Sequence, residues 1–319
     1  MVNKSRVAVK ADTESTITQV IADGVNTVLS NPVLLAVPLL LDVFYLLGRR
    51  VTLEPMLNRW SQRAATGDWS ISSRASELLA DAGRVDVFGL FWILIPSFLG
   101  GADRGDLYEP ISRSTWQVSN LAAGIVVVGL VLLLTALVYA LFGLWLADTG
   151  LERGRSWSER FRKTPIVAVR ILALIGLIFG IAAFLLLPVG MAWAATTVVG
   201  INLSGLLLPI VTLVIVAMIV LFYFSPEALF VADATAPDAL RLSARVVKQY
   251  TWHSLAFVGA TMVISWGLTT VWERMADSPP GMALAIAASA FVGCSLALAA
   301  MFFFRDRIDR VTQESGITP

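Results

Sequence analysis

Asp42 is the acidic residue that lies most nearly inside an apolar stretch of this 319-residue chain. An ionisable side chain within a membrane segment is costly, and such residues commonly belong to proton or ion pathways. Arg49 follows Asp42 by seven residues, or about 10 Å along a helix, so hydration or ion pairing at the membrane surface is an alternative role. Asp42 is therefore a candidate intramembrane acid with two interpretations.

Two further titratable residues lie where apolar stretches begin or end. His253 is the single histidine of the chain, and one histidine forms neither a catalytic triad nor a metal site. It follows Trp252, so anchoring at the membrane interface is a simpler interpretation than pH sensing. Glu227 is expected to terminate the preceding apolar stretch, where it could pair with Arg241 or Arg245.

No motif of catalysis or of nucleotide binding accompanies these residues. The sequence lacks the patterns GxxxxGK[ST], HExxH, GxSxG and GxGxxG. Its one cysteine, Cys294, can form neither an intrachain disulfide nor a cysteine-based zinc site, and we expect it to pack as a small core residue. We therefore expect a non-enzymatic protein with no cofactor and no metal site.

Three basic residues share one face of a predicted helix that begins near Pro237: Arg241, Arg245 and Lys248. Close to a membrane each can attract anionic lipid headgroups by about 1 kcal/mol. A solvated face lying against the membrane explains the same pattern without specific lipid recognition. The net charge is +1 and the other basic residues are scattered, so nucleic-acid binding is not expected.

The composition indicates a membrane protein. Hydrophobic residues make up 57% of the chain and charged residues 15%, against about a quarter charged in soluble domains, and the mean hydropathy is +0.75. We expect one all-α domain over residues 1–319, a polytopic bundle without sheet, because backbone groups in lipid must be hydrogen-bonded within their own segment. Six spans are predicted, at residues 33–48, 120–147, 167–196, 206–224, 253–271 and 282–304.

Three amphipathic surface helices are predicted before outward-going spans. The first, at residues 16–30, ends at Asn31-Pro32. The second begins with the capping-box pair Ser156 and Glu159 and ends before Pro165. The third has Pro237 in its first turn. Each is followed by a span out and a span back, so the unit repeats three times.

The loops between the spans predict the orientation. Short cytoplasmic loops carry an excess of Lys and Arg. Several Lys and Arg residues follow the second, fourth and sixth predicted spans, whereas no such residue follows the third span and one follows the fifth. The segment 87–101 is ambiguous: if it spans, there are seven helices with an external N-terminus, and charge alone slightly prefers that arrangement. We favour six spans because the repeated unit requires an N-terminus inside.

This topology has consequences for the tail and the long first loop. Residues 1–15 become a flexible cytoplasmic tail, and the C-terminus is also cytoplasmic. The loop 49–117 lies outside, with an interfacial helix near Trp60 and a buried or re-entrant segment at 87–101. Within the third span, Gly176 and Gly180 form a GxxxG pattern that favours close helix packing, within the bundle or in a homodimer.

One segment resembles a known group of proteins. From Phe222 the chain reads FYFSPEALFVADATAPDALRLSARVVKQYTWHS. This is similar to a bacterial six-span superfamily that includes the membrane domain of some glycerophosphodiester phosphodiesterases and related uncharacterised inner-membrane proteins. The residues that carry the resemblance are Pro226, Glu227, Ala239, Leu240, Arg241, Ser243, Lys248 and Trp252. It implies the fold and the bacterial inner membrane, but no phosphodiesterase activity, because the hydrolase domain is absent.

The sequence thus predicts an integral membrane protein that organises membrane, interacts with lipid, or assists a protein partner whose identity the sequence leaves open. The alternative is a small-molecule or ion permease with a pathway near Asp42 and kinks at Pro188 and Pro209.

Overall fold

The computed structural model describes residues 15–66, 80–84, 86–89, 95, 97, 99, 114–198, 204–276 and 278–315. Nearly all of this part of the chain is helical. Its main helices are α1 (Ile17–Ser30), α2 (Ala36–Leu47), α3 (Glu54–Thr66), α4 (Leu121–Gly150), α5 (Trp157–Val198), α6 (Ser204–Phe222), α7 (Ser225–Val231), α8 (Ala236–Gln249), α9 (Thr251–Met275) and α10 (Pro279–Ser315). A 3-10 helix, Pro32–Leu35, precedes α2.

Five helical stretches are long and apolar enough to cross a membrane: α4, α5, α6 continued through α7, α9 and α10. They coincide with the second to sixth predicted spans. The bent pair formed by α1 and α2 brings the number to six if it is counted as one span. A multi-pass, nearly all-α protein is therefore confirmed.

The chain bends by 94° between α1 and the segment Pro32–Leu47. α1 ends at Asn31, whose side-chain amide and backbone N–H both donate to the carbonyl of Thr27. Pro32 has no N–H with which to continue the helix, so the predicted break is confirmed. The segment after it is about 26 Å long, at about 2 Å per 3-10 residue and 1.5 Å per α residue, which is less than the roughly 30 Å of hydrocarbon.

α1 packs its apolar side along α10. Val20, Gly24 and Val28 are buried. Gly24 permits the close approach, because a Cβ at this position would lie 3.1 Å from the backbone nitrogen of Ala299 and closer still to the carbonyl oxygen of Ser295. The first amphipathic helix therefore covers part of the bundle with its apolar face. Of the predicted tail, residues 1–15, only Ser15 lies within the described residues.

The second predicted surface helix is not a separate element. The capping box forms as expected: the N–H of Ser156 donates to Glu159 Oε2 at 3.1 Å, and the N–H of Glu159 donates to Ser156 Oγ at 3.4 Å. The helix then continues through Pro165 to Val198, 42 residues in all. Proline removes one backbone donor, but ion pairs hold the first turns of α5 against the end of α4 and against the loop before α8, as described below.

The third predicted surface helix is α8, and Pro237 does lie in its first turn. Leu240, Val246 and Val247 are buried, whereas its basic residues are exposed. Earlier in the chain, α6 and α7 are separated by a break, and Ser243 of α8 bridges it. The Ser243 hydroxyl donates to the carbonyl of Leu221 at 2.7 Å and accepts the N–H of Phe224 at 3.2 Å.

Two short strands contradict the expectation that there is no sheet. β1 (Arg50–Thr52) and β2 (Thr115–Gln117) pair in parallel, with Val51 opposite Trp116. They lie at the two ends of the predicted loop 49–117, and a loop outside the hydrocarbon can pair its backbone groups between segments. Between them, α3 forms where an interfacial helix was predicted, and Arg59 donates to the carbonyl of Ser119.

Aromatic side chains fill the core where α6, α7, α9 and α10 meet. The rings of Phe224 and Phe303 stack with centroids 5.2 Å apart, and those of Phe257 and Phe303 with centroids 4.7 Å apart. All three residues are buried. This cluster fixes the junction between α6 and α7, and with it the position of Glu227 on the first turn of α7.

Candidate functional site

The basic face of α8 is exposed as the sequence predicts. Arg241, Arg245 and Lys248 all project from the side opposite the buried residues of the helix. Arg241 pairs with Asp238 at 3.2 Å on an exposed turn, a geometry that contributes little to stability. In the described part of the chain Arg245 and Lys248 form no ion pair, so their charges are available to an external partner.

Exposed aromatic side chains accompany this face. Trp252, one turn beyond Lys248, is 81% exposed. His253 beside it is exposed as well. On the neighbouring helix α5, Trp157 and Phe161 are also exposed. Tryptophan and basic residues together are typical of the interface between membrane and water.

A buried carboxylate joins α4 to α5. The side chain of Asp148 is fully buried and pairs with Arg160 at 2.9 Å and with Arg155 at 3.3 Å. The Arg160 guanidinium also stacks 4.9 Å from the centre of the Trp157 ring. A buried carboxylate with two cationic partners is costly to break, so these contacts hold the loop between α4 and α5 in one arrangement.

Asp233 makes a second link, between α5 and the loop before α8. It pairs with Arg170 at 2.6 Å and with Lys163 at 2.9 Å. Partial burial on its own would raise the pKa of Asp233, but the hydrogen bonds and charges of Lys163 and Arg170 outweigh it and hold that pKa below its usual value. Five of the basic residues predicted at this end, Arg153, Arg155, Arg160, Lys163 and Arg170, thus contact protein groups.

Asp42 is deeply buried, at 0% exposure, instead of hydrated at the interface. Its Oδ1 accepts a hydrogen bond from the Ser97 hydroxyl at 2.6 Å and another from the Leu99 N–H at 2.9 Å. Nearby, the Tyr45 hydroxyl donates to the carbonyl of Phe88. These contacts attach the segment 87–101 to α2. Most residues of that segment lie outside the described residues, and whether it spans or re-enters stays a prediction.

In the described part of the chain Glu227 forms no ion pair with Arg241 or Arg245, and its Oε2 is buried without a hydrogen-bond partner. Instead it lines a cavity of about 310 Å³ inside the bundle. Tyr139 and Phe230 lie on the same wall, edge to face with centroids 5.5 Å apart. Sequence reasoning missed this site because Glu227 follows Pro226 at a helix start, where an acid is ordinarily a terminal, solvated group.

Gly176 and Gly180 face open space, and a Cβ on either would meet no atom within 4 Å. This differs from the expectation that they pack within the bundle. Cys294 is buried, as expected of a core residue, with its thiol 3.7 Å from the carbonyl of Leu34. Among the described residues, no cluster of three or more His, Cys, Asp or Glu side chains could hold a metal ion.

The chain matches no protein-family model, no curated protein and no solved structure.

Proposed function

We propose that this chain is a non-enzymatic integral membrane protein that interacts with lipid through the basic face of α8. The observation that carries this proposal is the exposure of Arg241, Arg245 and Lys248 on a helix whose opposite side, including Leu240 and Val247, is buried in the bundle. The helix is held by its apolar side, and its charges point away from the protein.

The magnitude of the attraction supports a role in lipid contact. A basic residue close to an anionic membrane contributes about 1 kcal/mol. Arg241 is partly neutralised by Asp238, so Arg245 and Lys248 supply the larger share, about 2 kcal/mol together, or up to about 30-fold in affinity. Trp252 adds an interfacial anchor next to them. We also propose, because Lys and Arg are in excess in cytoplasmic loops, that this end of the bundle and the C-terminus lie on the cytoplasmic side of a bacterial inner membrane.

Two other functions would require different features of the protein. A role as accessory to a protein complex would use the same exposed face with a protein partner. A permease with a pathway near Asp42 would require that carboxylate to exchange with solvent, whereas its oxygen here accepts bonds from Ser97 and Leu99. These bonds let Asp42 hold Ser97 and Leu99 against α2, and lipid contact is the function we favour.

The test is native mass spectrometry of the full chain in nanodiscs that contain equal amounts of phosphatidylglycerol and phosphatidylethanolamine. We expect the wild-type protein to retain phosphatidylglycerol preferentially. The double variant Arg245→Gln/Lys248→Gln should lose most of that preference, by up to about 30-fold, because two uncompensated charges are removed.

The matched control is Arg49→Gln/Arg274→Gln, which removes two exposed charges at the far ends of α2 and α9. We expect it to lower the lipid preference clearly less than the α8 variant does. Equal loss in both double variants would mean that only the total charge matters and would contradict a site on α8. A stoichiometric protein that co-purifies and is released by the α8 variant would point to the accessory role.

A further inference from the structure

The cavity beside Glu227 lies between α4, α7, α9 and α10 and touches Tyr223 at the end of α6. Its volume of about 310 Å³ is at the lower end of the range that small-molecule sites occupy. Gly143 of α4 allows Phe230 to approach, since a Cβ there would overlap the Phe230 ring. The cavity is therefore bounded by closely packed helices.

Glu227 provides the one acidic group in the lining, and its Oε2 is buried with no hydrogen-bond partner among the described residues. The lining contains no Lys, Arg or His, so no cationic side chain of the lining neutralises the Glu227 carboxylate. A buried polar oxygen without a donor costs free energy, and a buried charge without a counter-ion costs more. Among the described residues, the arrangement therefore lacks a donor or a cation for Glu227, which a bound ligand would supply.

Aromatic rings form much of the remaining lining: Tyr139, Phe142, Tyr223, Phe230 and Trp266. The faces of such rings attract organic cations, and quaternary ammonium groups are commonly held in aromatic cages. A hydrated metal ion would instead need several oxygen ligands, whereas the lining is mainly apolar. An anion is disfavoured by Glu227 itself.

The entrance is formed by exposed residues of α9. Ser265 is exposed and Trp266 is 73% exposed, yet both also line the cavity. They lie in the middle of a 25-residue apolar helix, more than twelve residues from its first residue, Thr251. An exposed side chain at that depth in a spanning helix faces hydrocarbon, so the cavity is reached from the bilayer.

We propose that this cavity binds a lipophilic organic monocation, an alkyl or arylalkyl ammonium, with Glu227 as its counter-ion and the aromatic rings as its cage. The inference goes beyond lipid contact at α8, since it concerns a separate ligand inside the bundle.

The experiment measures binding of radiolabelled benzyltrimethylammonium to the full chain in nanodiscs of uncharged phospholipid. Saturable binding is expected for the wild-type protein, at about one ligand per chain. Neopentylbenzene has the same shape with carbon in place of the charged nitrogen, and it should compete at least tenfold more weakly than the unlabelled cation. Glu227→Gln preserves the side-chain size and should weaken cation binding at least tenfold, whereas Trp266→Leu should weaken it a few-fold.

Glu152→Gln, the same change at an exposed loop glutamate, is the matched control and should bind as the wild type does. Absent binding, equal competition by the neutral isostere, or unchanged binding in Glu227→Gln would each overturn the proposal. If Glu227→Gln fails to fold, the comparison of the two isosteres on the wild-type protein decides. Retention of phosphatidylglycerol should be unchanged in Glu227→Gln, which separates this result from the function proposed for α8.

Discussion

Replacing Gly24 by alanine should separate α1 from α10, whereas the same replacement at Gly176 or Gly180 should not disturb the fold. At Gly24 the new Cβ would lie 3.1 Å from the nitrogen of Ala299 and closer to the carbonyl oxygen of Ser295, where ordinary contacts are 3.4–4 Å. Both obstacles are backbone atoms, which cannot rotate away as a side chain can. The two helices must therefore move apart by several tenths of an ångström or more.

Two opposing contributions determine how Gly24→Ala changes the free energy of unfolding. Overpacking in a well-packed interior costs about 1–3 kcal/mol, and backbone obstacles place this site at the upper end. Alanine is a better helix former than glycine by about 1 kcal/mol, which offsets part of that cost. We expect Gly24→Ala to lower the free energy of unfolding by about 2 kcal/mol. At Gly176 and Gly180 no atom lies within 4 Å, so alanine should be neutral or stabilising by up to about 1 kcal/mol.

The assay is unfolding of the purified protein in mild detergent by added sodium dodecyl sulfate, followed by tryptophan fluorescence, for which the chain has ten tryptophans. A lower unfolding midpoint for Gly24→Ala together with a higher midpoint for Gly176→Ala would support the packing of α1 on α10. An unchanged midpoint for Gly24→Ala would refute that contact. Destabilisation by Gly176→Ala or Gly180→Ala would show that this face packs against something else, for instance the homodimer seam that the GxxxG pattern also allows.

Three further predictions concern polar contacts. Ser243→Ala removes the hydroxyl that bridges α6 and α7 and should destabilise the protein by about 1–3 kcal/mol in the same unfolding assay, because the Phe224 N–H is left without an acceptor; no change would contradict that bridge. Asp42→Asn keeps an acceptor oxygen and should unfold close to the wild type, whereas Asp42→Ala should lose about 2–4 kcal/mol; an Asn variant that folds normally but abolishes transport in cells would instead favour the permease. The pKa of Asp233 is lowered in the folded state, so its stabilising contribution is complete above the unfolded pKa of about 3.9 and is lost as the pH falls through the folded pKa. The stability of Asp233→Asn should therefore depend less on pH below about pH 4 than that of the wild type. Identical dependence of stability on pH in the two proteins would refute the ion-pair link.

Local sequence patterns determined the parts of this fold that depend on neighbouring residues. The long apolar runs specify helices, because backbone groups in hydrocarbon must bond within their own segment. Asn31-Pro32 ends α1, Ser156 with Glu159 caps α5, and Pro237 lies in the first turn of α8, each through contacts within one helical turn. The split of α8 into a basic and a buried face likewise follows from helical periodicity.

Only the tertiary structure decided which distant groups meet. The Asp42 carboxylate is 55 residues from its partner Ser97, and β1 pairs with a strand more than 60 residues away. The local sequence places Glu227 at the start of a short helix, but the residue lines a cavity whose other walls come from α4, α9 and α10. Such contacts depend on how helices cross, and hydrophobic periodicity indicates which face is apolar without specifying its neighbour. For that reason the candidate lipid face could be predicted from the sequence, whereas the acidic cavity could not.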